Sequence, residues 1–161
     1  MDLAEIGAYD DEHTGPRGVN RLALTDADAA GRRRVIAWME QAGLTVRTDR
    51  MGNIYGRREG TDPTAAPVLT GSHIDSVATA GAFDGCLGVL GGIEAVRTLD
   101  ERGISTRRPI EIGVFTEEEG VRAPTPASPP PGSASTCGPW STPGPTASCA
   151  PPSATWPSTR T

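Results

Sequence analysis

Residues 67–115 read PVLTGSHIDSVATAGAFDGCLGVLGGIEAVRTLDERGISTRRPIEIGVF, and we call this segment the deciding stretch because it indicates the fold class by itself. Its two ends, Pro67–Thr70 and Pro109–Phe115, are short apolar runs typical of buried strands. Between them, apolar residues recur at helical spacing, which predicts a helix from about Gly85 to Arg102. Gly103 then supplies a residue that ends such a helix. A strand, a helix and a second strand in this order indicate an α/β sheet covered by helices.

The residues before this stretch add a helix and two strands. Thr25 can cap a helix over 26–42, with Asp28 as its partner in a capping box. Leu44–Arg47 and Asn53–Arg57 are predicted to be short strands on either side of a glycine-containing turn. The predicted order over residues 1–122 is therefore α-β-β-β-α-β, a central sheet flanked by helices.

The charge balance excludes several classes of partner. The chain has 161 residues, with 15 Lys+Arg against 20 Asp+Glu and a net charge of -5. A general nucleic-acid binder or a binder of anionic membranes needs a basic face, so neither partner is expected. No apolar run approaches the roughly 18 residues of a membrane helix, and the acidic N-terminus lacks a signal core. We therefore expect a cytoplasmic protein. The irregular spacing of Cys86, Cys137 and Cys149 predicts neither a disulfide framework nor a zinc–thiolate site.

The composition changes abruptly after residue 122. Residues 1–122 contain all 20 acidic residues, whereas residues 123–161 contain 11 of the 15 prolines and a single charge, at Arg160. The second segment has no Leu, Ile, Val, Phe, Met or Tyr, so it has almost nothing to bury against a core. We therefore predict one folded unit at 1–122 and a disordered low-complexity tail at 123–161.

Polar side chains follow the predicted strands. His73 and Asp75 come after the first strand of the deciding stretch, and Asp84 stands at the start of its helix. Glu118 and Glu119 follow its second strand. If the two strands are parallel neighbours, these groups meet at one edge of the sheet, where sites form in open α/β folds. An imidazole with carboxylates suits a metal such as Zn²⁺, and a further carboxylate could act as general base on a water.

Each of these residues also has a plainer interpretation. A lone histidine after a strand is often a hydrogen-bonded loop residue. An aspartate at a helix start, such as Asp84, is typical of an N-cap. Consecutive glutamates commonly form a solvated turn. Spacing alone therefore leaves the metal site and these alternatives open.

The sequence segments around these residues resemble those of a known family. GSHIDSVATAGAFDGCLGVLGGIEAVRTL at 71–99 and IEIGVFTEEEGVR at 110–122 are similar to the zinc-dependent amidohydrolase branch of the M20 metallopeptidase superfamily. That branch contains N-carbamoyl-L-amino-acid hydrolases, β-ureidopropionases and allantoate amidohydrolases. GVNRLALTDAD at 18–28 and DRMGNIYGRREG at 49–60 fit as well, so the resemblance covers essentially all of residues 1–122. It implies part of a zinc-exopeptidase-like catalytic domain.

The resemblance also implies roles for individual residues. His73 corresponds to a ligand of one zinc, Asp84 to a carboxylate that bridges two zincs, and Glu119 to a ligand of the second. Glu118 corresponds to the general base and Asp75 to the partner that orients the His73 imidazole. The cofactor implied is Zn²⁺, two ions per complete site, with Mn²⁺, Co²⁺ or Ni²⁺ as substitutes. Three glycines fit positions where the backbone approaches the site or turns sharply: Gly81, Gly85 and Gly88.

Some residues depart from the family pattern. Glu117 occupies a place where Asn is commoner, and three consecutive glutamates leave the register open by one residue. Gly120 closes the motif and favours Glu118 as base and Glu119 as ligand. The other histidine, His13, lies outside every metal motif and is interpreted as a surface or substrate-loop residue.

The resemblance ends at Arg122. Family chains continue with two more zinc-ligating histidines, substrate-binding residues and a second domain that forms a lid and a homodimer interface. The segment 123–161 has the composition of an off-frame reading of a GC-rich gene, and a genuine Pro-rich tail is the alternative.

The resemblance implies an enzyme that hydrolyses a small carbamoyl or ureido amino-acid substrate. Two alternatives stay open. One is a catalytically inactive remnant of a disrupted gene. The other is an interaction protein that binds a partner through polyproline geometry in its tail.

Overall fold

The computed structural model describes residues 2–10 and 17–122. Two helices and six strands follow a short 3₁₀ helix at Asp2–Glu5. The elements in chain order are β1 (Ala8–Tyr9), β2 (Gly18–Val19), α1 (Asp26–Gln41), β3 (Thr45–Thr48), β4 (Ile54–Arg58), β5 (Val68–His73), α2 (Cys86–Glu101) and β6 (Ile110–Phe115).

The main sheet has four strands in the order β3-β4-β6-β5. The pairs β3–β4 and β4–β6 are antiparallel, and β5 runs parallel to β6. The last pair of the parallel ladder joins His73 to Phe115, so both strands end at the same level. This arrangement confirms the α/β class and brings the two strand ends of the deciding stretch together.

Both helices cover the same face of this sheet. Met39 of α1 lies against Gly56 of β4, while Gly92 of α2 lies against Ile112 of β6, and these two strand residues are paired in register. The apolar core between the layers is fully buried at its centre, which stabilises the layer by roughly 2 kcal/mol per large side chain. Its residues with no exposed area are Val35, Met39, Ile54, Val89, Ile112 and Val114.

The predicted boundaries of α1 are confirmed by its capping contacts. The Thr25 hydroxyl accepts a hydrogen bond from the Asp28 amide at 3.3 Å. At the other end, Gly43 adopts a left-handed φ of 74°, and Gly103 does the same after α2 with a φ of 62°. Both glycines allow a backbone conformation that other residues enter at a cost of about 1 kcal/mol.

Two features differ from the sequence predictions. β5 does not stop at Thr70 but continues through His73, because its parallel ladder with β6 persists to that residue. Gly71 makes this possible, since a side-chain carbon there would stand 2.0 Å from the Gly113 carbonyl oxygen. The small sheet of β1 and β2 was not predicted, because strands of two residues carry no periodicity.

The chain divides into a unit at Met1–Thr125 and a second unit at Pro126–Thr161. The predicted tail, His13, Cys137 and Cys149 lie outside the described residues, so the predicted disorder of the tail stays a prediction. Cys86 is a free, buried thiol. Neither helix within the described ranges is long and apolar enough to cross a membrane.

Candidate metal centre

His73 ends β5 and is held in a narrow space against the start of α2. The residue is buried, with 6% of its surface exposed. A side-chain carbon at Gly85 would stand 2.2 Å from its Nε2 atom, so only glycine leaves room for the ring. The prediction that the backbone approaches the site at Gly85 is confirmed. Gly88 packs similarly on Ser72 of β5, whereas a side chain at Gly81 would meet open space.

The imidazole of His73 is oriented by Asp75. Nδ1 lies 2.9 Å from the main-chain oxygen of Asp75 and 3.6 Å from its carboxylate Oδ1. A carbonyl oxygen can only accept, so Nδ1 carries the proton and donates it. Nε2 is left with its lone pair towards the cluster described next, which is the state that a metal ligand requires.

Two consecutive glutamates after β6 meet this nitrogen. Glu118 Oε2 lies 3.3 Å from His73 Nε2. One ligand atom each from His73, Glu118 and Glu119 can be chosen so that all three lie within 4.8 Å of one another. The three side chains lie close together because the parallel strands β5 and β6 end at the same level, as expected from the sequence.

Asp84 lies beside Glu119 at the edge of this group. Burial raises the pKa of Glu119, and the charge of Asp84 and a hydrogen bond with it raise it further, partly offset by His73. Asp84 is exposed and has a left-handed φ of 26°. The N-cap residue of α2 is Gly85, not Asp84, and no side chain caps this helix. The plainer interpretation of Asp84 as an N-cap is therefore wrong.

Asp75 contacts both His73 and Glu119, and so links the two strand ends that form the cluster. Its Oδ2 accepts a hydrogen bond from the Glu119 amide at 3.4 Å, while its main-chain oxygen holds His73. Its other oxygen, Oδ1, is buried and accepts no hydrogen bond from the described residues. This oxygen lies 3.6 Å from Nδ1 of His73, and a carboxylate on that side of the ring increases the basicity of the imidazole.

Glu117 has a different environment from the two glutamates that follow it. It is buried, with 6% exposed, and its Oε1 accepts a hydrogen bond from the Arg122 amide. Its φ of 58° turns the chain sharply before Glu118. Glu117 is not part of the group around His73, which favours the register with Glu118 and Glu119 at the site.

Arg21 was not predicted from the sequence to be a site residue, but its side chain contacts two segments of the site. Its buried guanidinium donates to the main-chain oxygen of Ile74 at 2.7 Å and to Cys86 Sγ at 3.1 Å. Ile74 follows His73, and Cys86 follows Gly85, so one side chain braces both segments of the site. Burial raises the pKa of the Cys86 thiol, with the Arg21 charge opposing that shift. An arginine among apolar neighbours in GVNRLAL was the signal that could have indicated a buried role.

The donor set of this cluster fits a divalent cation. One imidazole and two carboxylates, from His73, Glu118 and Glu119, are ligands that Zn²⁺ and related ions take, and the carboxylate of Asp84 lies beside Glu119. Burial and, after it, repulsion by the like charges of Asp84 and Glu118 raise the pKa of Glu119. A bound cation would remove that repulsion. The arrangement can therefore hold a metal next to a carboxylate able to move a proton.

Comparisons with known proteins agree with this fold. The sequence model of peptidase family M28 matches residues 53–133. The N-carbamoyl-L-amino-acid amidohydrolase of Rhizobium meliloti is 53% identical over 122 residues, which cover 76% of this chain and 28% of that protein. A crystal structure of a hydantoinase/carbamoylase family amidase from Burkholderia ambifaria superposes with a TM-score of 0.70 and 51% identity. That match covers 75% of this chain and 29% of the amidase.

The chain belongs to the M28/M20-like hydantoinase/carbamoylase family. This confirms the resemblance read from the sequence, and the family is one of metal-dependent enzymes. The ureidoglycolate hydrolase of Arabidopsis thaliana is also similar, with 47% identity over 120 residues that cover 74% of this chain and 25% of that protein. The chain thus spans little more than a quarter of the length of the curated relatives it matches.

Proposed function

We propose that residues 1–122 form the N-terminal part of an amidohydrolase that cleaves a non-peptide C–N bond in N-carbamoyl-L-amino acids or related ureido acids. The observation that carries this proposal is the meeting of His73, Glu118 and Glu119 at the ends of two parallel strands. The names of the two relatives above indicate enzymes of carbamoyl or ureido compounds, and this supports the proposed substrate class.

The metal of this site is proposed to be Zn²⁺, with two ions in the complete site. His73 would hold one ion through Nε2, Glu119 would hold the other, and Asp84 would lie between them. The ions would supply Lewis-acid polarisation of the scissile carbonyl and a water of lowered pKa. Asp75 keeps Nδ1 of His73 protonated, so that the ring always offers Nε2 as the ligand atom.

Glu118 is proposed to be the general base. Its carboxylate is about half exposed, so it can reach both a water and the nitrogen that leaves. It would take a proton from the attacking water and give it to the departing nitrogen, a transfer that typically contributes about 10²–10⁴-fold to the rate. The nearby carboxylates of Asp84 and Glu119 would hold the cations without accepting that proton.

A second candidate is a catalytically inactive remnant, and the ligand count favours it for the 161-residue chain by itself. A catalytic zinc normally has three protein ligands. With Asp84 counted for both ions, His73 and Glu119 leave only two ligands for each. An active site of this kind therefore needs further ligands from residues that correspond to the rest of the relatives' length.

A chimera that contains the further metal ligands tests the proposed function. In it, residues 1–122 of this chain replace the matching segment of the Rhizobium meliloti relative, and we call this protein the chimera below. We expect it to release ammonia and CO₂ from an N-carbamoyl-L-amino acid in the presence of Zn²⁺ or Mn²⁺. Ureidoglycolate and a dipeptide serve as the competing substrates. Cleavage of the dipeptide alone would show that the substrate class is wrong.

A further inference from the structure

We propose that Asn53 is a positioning residue that fixes the loop carrying Glu118 and Glu119. The inference rests on the proposed metal site, but it concerns residues that are not themselves proposed as ligands. Asn53 precedes β4 and lies 63 positions before Thr116, the residue it contacts.

The Asn53 side chain uses both ends of its amide. Its Oδ1 accepts a hydrogen bond from the Thr116 amide at 2.9 Å. Its Nδ2 donates to Asp49 Oδ2, also at 2.9 Å. Asp49 is in turn fixed by hydrogen bonds from the amides of Met51 and Asn53, both at 2.9 Å. The side chain is therefore a rigid link between the β3–β4 turn and the residue that follows β6.

The position of Thr116 explains what this link does. The antiparallel ladder of β4 and β6 ends with the pair Ile54 and Val114, and the parallel ladder with β5 ends one residue later at Phe115, so Thr116 lies beyond both ladders. The Asn53 amide oxygen takes the Thr116 amide hydrogen in place of a main-chain partner. Glu117 then turns the chain with its φ of 58°, and Glu118 follows.

A second side chain holds the same residue from α1. Arg32 Nη1 donates to the Thr116 hydroxyl at 3.1 Å, and Arg32 Nη2 donates to the main-chain oxygen of Gly52. The far end of the loop is held by Asp75, which accepts from the Glu119 amide. The loop is thus fixed at Thr116 and at Glu119, and Glu118 lies between these two attachments.

Asparagine suits this position because the amide at the end of its short side chain carries both a donor and an acceptor. Burial alone would raise the pKa of Asp49, but the hydrogen bonds from Asn53 and its neighbours outweigh that effect and lower it. An aspartate at position 53 would place a second negative charge against Asp49 and lose the donor. Alanine would remove the acceptor of the Thr116 amide and leave only the Arg32 contact on this residue.

The experiment measures Mn²⁺ binding to the 161-residue protein by the electron paramagnetic resonance signal of the free ion. Mn²⁺ is chosen because it prefers carboxylate and imidazole ligands to the thiolates that two further cysteines could offer. Asn53→Ala is compared with Asn20→Ala, which makes the same change at an exposed position. Arg32→Ala is compared with Arg33→Ala, which removes the same charge from an exposed neighbour on α1. His73→Ala is the reference for loss of the site.

We expect Asn53→Ala and Arg32→Ala to weaken Mn²⁺ binding about tenfold, the usual effect of removing a group that orients ligands. The two control variants should bind as the parent does, at temperatures where circular dichroism shows every variant folded. If circular dichroism shows that Asn53→Ala is unfolded, the comparison of Arg32→Ala with Arg33→Ala tests whether the loop needs this support.

Two results overturn the proposal, and they are distinct. If His73→Ala loses binding while Asn53→Ala and Arg32→Ala bind like their controls, the loop needs no such support and only the positioning role fails. If His73→Ala binds Mn²⁺ as tightly as the parent, the metal site itself is misassigned, and the proposed function fails with it.

Discussion

The α-carbon of Gly85 lies against the imidazole of His73, so closely that a methyl group on it would stand 2.2 Å from Nε2. Contacts of that length do not occur between a carbon and a ring nitrogen, so the ring would have to move. Nε2 is the atom proposed to bind a metal. The glycine is therefore as necessary to the site as the histidine.

Gly85→Ala should abolish metal binding through displacement of the His73 ring. Gly81→Ala is the matched control, since a side-chain carbon there would meet nothing within 4 Å. Equilibrium dialysis against Mn²⁺ measures both variants, and the control should retain the affinity of the parent. Equal affinities for the two variants would show that the ring of His73 is not held as described.

The fold could be predicted largely from local signals. Thr25, Gly43 and Gly103 mark helix ends by capping and left-handed geometry, and these signals belong to single positions in the sequence. The extension of β5 to His73 could not be predicted, because it depends on pairing with β6. That pairing requires the close approach of Gly71 to Gly113, which no local pattern reveals.

The site was predictable where its residues follow strands, and unpredictable where a distant contact defines the role. His73, Glu118 and Glu119 meet because two parallel strands end at one level, which the element order already indicated. Asn53 and Arg21 act through partners more than 50 positions away along the chain. Both residues lie in segments that resemble the family, but no local pattern identifies their partners, so their contacts could be found only in the folded chain.

His73 should be the Nδ1–H tautomer when neutral, since Nδ1 donates to the Asp75 carbonyl. Long-range ¹H–¹⁵N correlation spectra distinguish the two tautomers directly. The chain contains only two histidines, so a His13→Gln variant assigns the signals. A dominant Nε2–H tautomer for His73 would contradict the geometry, because Nε2 would then carry a proton where a ligand lone pair is needed.

Asp28→Asn should leave the free energy of unfolding at pH 7 unchanged or raise it by up to about 1 kcal/mol. Burial raises the pKa of Asp28, so its folded form holds a proton more tightly, and stability is lost as pH rises through that folded pKa. The amide still accepts from the Leu24 main chain, as the carboxylate does at 2.9 Å. Urea denaturation from pH 3 to pH 7 measures the effect.

The control for this variant is Asp26→Asn, at an exposed position in the same first turn of α1. It loses only the favourable interaction with the helix dipole, so it should be less stable by roughly 0.3–1 kcal/mol. A larger loss of stability at pH 7 in Asp28→Asn than in Asp26→Asn would show that the buried charge is stabilising.

The 161-residue chain by itself should hydrolyse carbamoyl amino acids slowly or not at all. His73, Asp84 and Glu119 supply two ligands per ion when the bridging carboxylate is counted twice, against the three of a catalytic zinc. Ammonia release from an N-carbamoyl-L-amino acid by the purified chain, compared with the chimera, measures this. Turnover by the chain at the rate of the chimera would mean that other groups complete the site.

Glu118 is proposed to move protons while Glu119 holds metal, and the metal content and turnover of two variants of the chimera separate these roles. Glu118→Gln should keep its metal by elemental analysis and lose at least about 100-fold in turnover, because a base can be removed without disturbing coordination. Glu119→Gln should lose metal. The reverse pattern, with metal lost from Glu118→Gln and kept in Glu119→Gln, would contradict the account.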